Sequence, residues 1–284
     1  MLLKGADLQK HLQHLPSGYL VYSGGILKIP SGEQICEFPK DMGAYVGAHT
    51  VNGVDWMLYR FHNDRIYVYR WMKLSVLELI NQIDISNIYI HTGQFFGYQL
   101  DISGTVMALP SDNNQGYFFL ILNDRMRHFR NFRYTRPSNQ IYHFWALLNN
   151  KLIKYDAKND RIIEKHIIYY NLNYRMNRLD ISPDGRYVVG IRLSQPGIAG
   201  IKNATYLMDV YDLESGHLRS FQVPGMGMVE QVLILDNHFA LVVFGLPLLG
   251  KWEIRAVNII TGQSWILKKY HSYKQAYRYI QINE

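Results

Sequence analysis

The chain has 284 residues, 48% of them hydrophobic and 19% charged, so it can bury a sizeable core, and disorder of the whole chain is excluded. Its 30 Lys and Arg residues against 23 Asp and Glu residues give a formal charge of +7, a modest basic excess in an ordinary globular composition. The single cysteine, Cys36, excludes an internal disulfide framework and a zinc site built from several cysteines.

The N-terminal segment is the one place with helical periodicity. Leu8, Leu12 and Leu15 share a helix face after Asp7, which is a suitable N-cap. We therefore predict a helical extension over residues 1–17.

Nothing in the sequence favours a membrane or a secretory route. No segment approaches the roughly 18 apolar residues of a spanning helix. Lys4, Asp7 and Lys10 interrupt the place where a signal sequence would need an apolar core. We expect a cytoplasmic protein with no membrane partner.

From residue 18 onward the sequence is typical of β-strands. Short runs rich in aromatic and β-branched residues are bounded by Gly, Asn, Asp, Ser or Pro, and helical periodicity is hard to find. The clearest runs are GYLVY (18–22), RIYVYRW (65–71), YFFLIL (117–122), RYVVGIRL (186–193) and FALVVF (239–244).

The strands recur at a fixed period. Hairpin turns carry Gly32, Gly216 and Gly262; the last two lie 46 residues apart, and Gly32 precedes Gly216 by four such periods. Weaker turns near Lys73 and Asp124 fill two of the gaps. A period of this size is typical of the four-stranded blades of a β-propeller, and about six units account for the chain.

A second recurrent element is a strand that ends in Leu-Asp-Ile-Ser, in RLDISPDGRYVVGI (178–191) and QLDISGTVMAL (99–109). The segment Ser182-Pro183-Asp184-Gly185 resembles the turn of the β-propeller repeats found in WD40-like, TolB-like and YVTN-like proteins. The resemblance implies a structural role, in which Pro183 sets φ, Asp184 caps local N–H groups and Gly185 takes the left-handed conformation. One full copy is present, and the Trp-Asp signature of regular WD40 repeats is missing.

We therefore predict an all-β fold, a closed β-propeller of about six four-stranded blades, with five to seven allowed, over residues 18–284. The lone C-terminal strand AYRYIQINE (276–284) can supply the missing inner strand of the first blade, and this closure removes free sheet edges. The fourth blade lacks a clear inner strand near 130–141, and a pair of β-sandwiches is the rival architecture. The predicted blades are 276–284 with 18–39, then 43–80, 95–134, 135–168, 174–223 and 228–270.

Catalytic and metal-binding motifs are absent from the sequence. It contains no His-Glu-x-x-His, Cys/His cluster, Gly-x-Ser-x-Gly or phosphate-binding glycine loop. We predict no catalytic residue, metal or cofactor. A metal-assisted hydrolase or lactonase with its site in a central channel remains an alternative by fold analogy, with Asp101, Asp180 and Asp209 as its first candidates, although Asp also caps turns and strand ends.

The most unusual local feature is an Arg/aromatic stripe over residues 125–136, within a stretch that has no acid from Met126 to Tyr155. Guanidinium groups pair with phosphate or carboxylate and exposed rings stack bases, so the stripe suits an acidic protein surface or a nucleic acid. The alternative is a solvated strand face with the rings packed inward. Another acid-free stretch covers 254–283. The candidate contacts are Arg125, Arg127, Arg130, Arg133, Arg136, Phe129, Phe132 and Tyr134.

A set of Pro- and Gly-containing loops is the other candidate site. In propeller strand order, the loops between second and third strands and between blades open on one face. FGLPLLGK (244–251) carries leucines that are hard to explain as solvated surface, and exposed apolar residues with a polar rim mark interfaces. The alternative is a loop that folds back over a blade end or plugs the central channel. The predicted partner-binding residues are Leu246, Leu248, Leu249, Met226 and Met228.

These features favour a non-catalytic scaffold that binds one or more proteins through the loop face, as a subunit of a larger cytoplasmic assembly. An RNA- or ribonucleoprotein-binding propeller that uses the Arg/aromatic stripe is the second hypothesis. The metal-assisted hydrolase is the third.

Overall fold

Every regular element in the described part of the chain is a β-strand. The computed structural model describes residues 15, 17–22, 25–38, 45–50, 55–62, 65–84, 99–100, 106–110, 115–120, 125–130, 134–148, 151–168, 178–195, 204–246, 249–271 and 276–281.

The strands form six four-stranded sheets, numbered here in chain order. The first sheet has the order β24-β1-β2-β3, and each later sheet contains four consecutive strands. The bounds in the first three sheets are β1 Gly18–Tyr22, β2 Gly25–Ile29, β3 Glu33–Glu37, β4 Tyr45–Thr50, β5 Trp56–His62, β6 Arg65–Met72, β7 Val76–Asp84, β8 Gln99–Leu100, β9 Val106–Pro110, β10 Gln115–Leu120, β11 Arg125–Arg130 and, in the first sheet, β24 Ala276–Gln281. Those in the last three are β12 Tyr134–Pro137, β13 His143–Leu148, β14 Lys151–Asp156, β15 Arg161–Ile167, β16 Leu179–Ile181, β17 Tyr187–Gln195, β18 Ala204–Asp212, β19 Leu218–Gly225, β20 Met228–Ile234, β21 Phe239–Leu246, β22 Lys251–Asn258 and β23 Ser264–Tyr270.

Successive antiparallel four-stranded sheets, with the last strand of the chain in the first sheet, are the strand order of a β-propeller. The fold is a β-propeller. The predicted all-β class is confirmed, the blade count lies within the predicted five to seven, and β24 joins β1 as the closing strand. Predicted and observed blade bounds agree closely for all six sheets.

The glycine turns between third and fourth strands are confirmed. Gly32, Gly216 and Gly262 have φ of 69°, 69° and 75°, and each N–H donates to the carbonyl four residues earlier. Lys73 (φ 48°) and Asp160 (φ 56°) carry positive φ in the corresponding turns of the second and fourth sheets. The predicted turn near Lys73 is therefore present.

The chain divides into two compact units, one of residues 1–20, 26–35 and 171–284 and the other of residues 21–25 and 36–170. The core of the first unit joins the fifth and sixth sheets through side chains such as Met208, Val232 and Phe244. Strand β21 is buried along its whole length, as expected for a central strand covered on both faces.

One expectation about the fourth sheet differs from the structure. This sheet does have a first strand, β12, which is hard to recognise because it has four residues and ends in a proline. The predicted helix over 1–17 lies, apart from Leu15 and Ser17, outside the described residues and stays a prediction. Over the described residues, no helix is long and apolar enough to cross a membrane.

Candidate protein-interaction surface

The Arg/aromatic stripe is divided between two sheets. Its first part forms β11, the outermost strand of the third sheet, and its last part begins β12, the first strand of the fourth sheet. Arg125, Arg127 and Arg130 all lie on β11, which pairs with β10. Phe132 and Arg133 lie outside the described residues.

Arg136 differs from the exposed contact that the sequence predicts. It is 6% exposed and is paired with Trp145 across β12 and β13. Its strand opens the fourth sheet, where the long aliphatic part of an arginine can pack among apolar neighbours. The stripe therefore does not form one continuous exposed surface.

The two described carboxylates of the hydrolase hypothesis are held by structural hydrogen bonds. Asp180 is fully buried and accepts from the backbone N–H groups of Ile181 at 2.8 Å and Ile234 at 2.5 Å, which ties the fifth sheet to the sixth. Asp209 accepts from Arg192 Nε at 2.7 Å and from the Ser220 hydroxyl at 2.5 Å. Asp101 lies outside the described residues, among which no group of three His, Cys, Asp or Glu side chains could hold a metal ion.

The Ser-Pro-Asp-Gly turn has the implied structural role. Asp184 Oδ1 accepts from the Ser182 hydroxyl at 2.6 Å and from the Arg186 N–H at 3.0 Å, and Gly185 has φ of 81°. Asp184 Oδ2 also accepts from Asn237 Nδ2 at 2.7 Å, which adds a second tie between the fifth and sixth sheets. The sequence did not predict this longer-range bond.

Two of the predicted loops meet at one end of the fifth and sixth sheets. Met228, the first residue of β20, pairs with Gly245 near the end of β21. At Gly227 (φ 72°), a Cβ atom would lie 2.1 Å from the Gly245 carbonyl oxygen and 2.7 Å from Leu246 Cδ2, so only glycine permits this approach. The shared face is therefore confirmed for these two loops. We call the set of Leu193, residues 224–228, residues 245–246 and residues 249–251 the loop edge.

Two buried aromatic residues, Tyr206 and Phe244, contact the loop edge. The Tyr206 hydroxyl donates to the Gly227 carbonyl, and its ring contacts Phe244 with centroids 5.3 Å apart. Burial raises the pKa of Tyr206. A Cβ on Gly225 would lie 2.2 Å from the Phe244 ring, so this loop also packs closely. These contacts hold the loop between β19 and β20 in one conformation.

The loop edge exposes some predicted residues and buries others. Met228 is 49% exposed and Leu249 is 51% exposed, as expected for contact residues, whereas Met226 packs partly against the core. Leu246 is 8% exposed and lies against Gly227, so it differs from the predicted exposed anchor and matches the alternative of packing over a blade end. Leu248 lies outside the described residues.

Sequence reasoning missed Leu193, which is 45% exposed and lies near the C-terminal end of β17, at the loop edge. It ends the apolar run RYVVGIRL, and such a run predicts a strand buried throughout. Nothing in this run indicates that the side chain of its last residue is exposed to solvent.

A basic flank, Lys251, Lys269 and His271, adjoins the loop edge. All three residues are exposed, and among the described residues none forms a salt bridge with them. His271 follows β23 beside Gly250, whose added Cβ would lie 3.5 Å from the His271 carbonyl oxygen. Glu253, across from Lys269 in the register, is buried and bonded to Arg255 Nη2 at 2.9 Å.

Glu230 is the half-buried acid near this surface. Burial raises its pKa, and the positive charge of Arg178 opposes this only in part. Arg178 Nε donates to the Val229 carbonyl at 3.2 Å, and Glu230 Cγ would lie 3.1 Å from a Cβ on Gly245. Glu230 therefore packs against Gly245 of the loop edge.

No known family model matches the chain, and no curated protein matches its sequence. Among solved structures, the chain is similar to a structure of U3-55K and to a crystal structure of the RRP9 WD40 repeats, each at a TM-score of 0.48 and 7% identity. Each match covers 78% of this chain and 62% of the other chain. The fold assignment rests on the strand order described above.

Proposed function

We propose that the chain is a non-catalytic propeller scaffold that binds a protein partner through the loop edge, as a subunit of a cytoplasmic assembly. The observation that carries the proposal is the exposure of Met228 and Leu249, each about half exposed, on loops that buried contacts hold in place. The free energy falls when a partner covers exposed apolar side chains and removes them from water.

The ordered conformation of these loops also supports a role in binding. Gly227 and Gly245 approach so closely that no Cβ fits between them, and the Tyr206 hydroxyl donates to the Gly227 carbonyl. A surface that is already ordered loses little conformational entropy when it binds.

The test is the double variant Met228→Ser, Leu249→Ser in the tagged full chain, purified from its own cells with and without nuclease. We expect a stoichiometric, nuclease-resistant protein partner with the wild type and its loss from the variant, with an unchanged melting temperature, because both side chains are exposed. The matched control is Ile162→Ser, Ile167→Ser on β15, where the side chains are 54% and 48% exposed. The control should retain the partner.

Retention of the partner by the loop-edge variant would contradict the proposal. A partner that is released by nuclease would favour the RNA-bound hypothesis instead. Loss from both variants would show that the effect is not specific to the loop edge.

A further inference from the structure

We propose that the loop edge and the basic flank together bind one extended acidic segment of a protein partner, with apolar anchor residues beside its acidic ones. This inference rests on the proposed function and adds the chemistry of the partner. It is carried by the order of exposed side chains across the sixth sheet and by the pairing of Glu253, the acid opposite Lys269, with Arg255.

The exposed side chains change from apolar to basic across the end of the sixth sheet. Met228 lies on β20, Leu249 in the loop between β21 and β22, Lys251 on β22 and Lys269 on β23. Adjacent strands are about 4.8 Å apart, so the four strands extend over about 14 Å. A segment that crosses this end in extended form covers it with about four or five residues at roughly 3.3 Å each.

The acid that lies opposite Lys269 in the register is already paired within the sixth sheet. Glu253 is buried and bonded to Arg255. Glu230 is half buried; burial raises its pKa, and the positive charge of Arg178 opposes this in part. Among the described residues at this end of the sixth sheet, the exposed charged side chains are the basic ones of Lys251 and Lys269, and they complement carboxylates.

The exposed groups fit a protein segment better than a nucleic acid. Met228 and Leu249 present flexible aliphatic surface, whereas single-stranded nucleic acids are bound by aromatic faces on which bases stack. Trp252 at this edge is buried, with its indole against Gly245. It offers no face for stacking.

The test uses the full chain and four fluorescent probes. Three are synthetic peptides of about 12 residues with no fixed fold, rich in Glu and Leu, in Lys and Leu, or in Glu and Ser; the fourth is an oligouridine of similar length. Fluorescence anisotropy at low salt should rank the Glu/Leu peptide first, because it alone satisfies both the apolar and the basic groups. Its affinity should fall as salt is added, since the rim charges are screened.

The deciding variant is Lys251→Glu, Lys269→Glu. It should weaken binding of the Glu/Leu peptide about tenfold and strengthen binding of the Lys/Leu peptide, because the sign of the flank is reversed. Lys28→Glu, Lys165→Glu, a reversal of two exposed lysines elsewhere, is the matched control and should leave the order unchanged. Thermal melting checks that each variant is folded.

The outcomes separate the two proposals. If Met228→Ser, Leu249→Ser releases the native partner but the charge reversal changes neither that partner nor the peptide order, the acidic segment is wrong and the scaffold stands. If the oligouridine binds most tightly and the reversal abolishes it, the surface binds nucleic acid and this inference is overturned. If neither variant affects the native partner, both proposals fail.

Discussion

Gly227 shows at the scale of one residue how the loop edge is fixed. Its positive φ excludes most side chains, and the Gly245 carbonyl oxygen occupies the place of a Cβ. Gly216 has a similar φ, but a Cβ there would meet open space. The two glycines therefore separate the cost of backbone conformation from the cost of close packing.

Gly227→Ala should destabilise the protein more than Gly216→Ala. Left-handed φ costs both variants about 1 kcal/mol, and the clash with Gly245 adds about 1 to 3 kcal/mol at Gly227 alone. Urea denaturation of both variants measures the difference. Equal losses would mean that the loops separate freely.

Asp212 gives a prediction about pH. Burial alone would raise the pKa of Asp212, but hydrogen bonds from Arg186 and from the N–H groups of Glu214 and Ser215 outweigh it and hold the pKa below its ordinary value. A lowered pKa means that the stabilisation is fully present above about 3.8, the ordinary value, and is lost as the pH falls below it.

Asp212→Asn should therefore cost about 1 kcal/mol of unfolding free energy at pH 7 and less near pH 3. The amide oxygen can still accept from the turn, as Asn258 does from Ile260 and Thr261 in the sixth sheet, so the variant removes the charge and the acceptor of the Arg186 hydrogen bond. Urea unfolding of wild type and variant at several pH values measures this. A cost that stays constant down to pH 3 would contradict the assigned role of the charge.

At the residue scale, an interaction could be predicted from the sequence when its partners lie close together along the chain. The glycine turns and the capping by Asp184 are local and were predictable. The burial of Leu246 and Arg136 depends on residues far along the chain, as does the bond from Asn237 to Asp184. No local pattern carries that information.

At the scale of the element, three outer strands share an irregularity. In β7, β15 and β23 the register against the preceding strand skips one large aliphatic residue, respectively Ile80, Ile163 and Leu267. A bulge of this kind bends an edge strand and disrupts its hydrogen-bonding row, which hinders pairing with another molecule. The sequence gives no signal of a bulge, since each run reads as a continuous strand.

Charged residues protect the same edges, and β15 tests this. Lys165 lies between Ile163 and Ile167 in a strand that is exposed throughout. Lys165→Val would create a continuous apolar row, so we expect self-association that rises with protein concentration in light scattering. Lys158→Val, in the exposed preceding turn, is the control and should remain as soluble as the wild type. Equal behaviour of the two variants would mean that the bulge alone protects the edge.

Element bounds were predictable where a hairpin repeats and less so for single first strands. Strand β12 was missed because it has four residues, a charged side chain and a terminal proline. The paired strands of the fifth and sixth sheets have long apolar runs, and their predicted bounds differ from those observed by a few residues.

At the scale of the whole molecule, the repeat period and the unpaired C-terminal strand predicted the propeller. Strand β24 occupies the first position of the first sheet, next to β1. A strand from the end of the chain therefore completes a sheet that the beginning of the chain leaves open.

Removal of residues 276–284 should lower the melting temperature by about 10 °C or more, because a sheet loses one of its strands and gains an open edge. Addition of the same segment as a synthetic peptide should restore part of the loss, since it can pair with β1. A truncated chain that melts like the wild type would contradict the structural role of β24.

The proposed binding surface was less predictable than the fold. The sequence indicated the loops and two of the exposed residues, Met228 and Leu249, but it placed a second site on a stripe that the fold divides between two sheets. Exposure depends on which strands cover which, and the 46-residue period does not specify it. Leu193 and the basic flank became visible only with the strand register.

The most direct test of the scaffold account is site-specific photocrosslinking in the protein's own cells, with a photoreactive amino acid at position 249 or, as the matched control, at position 162. Both positions are about half exposed, at 51% and 54%. The account predicts that position 249 crosslinks to one discrete protein and position 162 does not. Crosslinking at 162 alone, or crosslinking of 249 only to RNA, would contradict it.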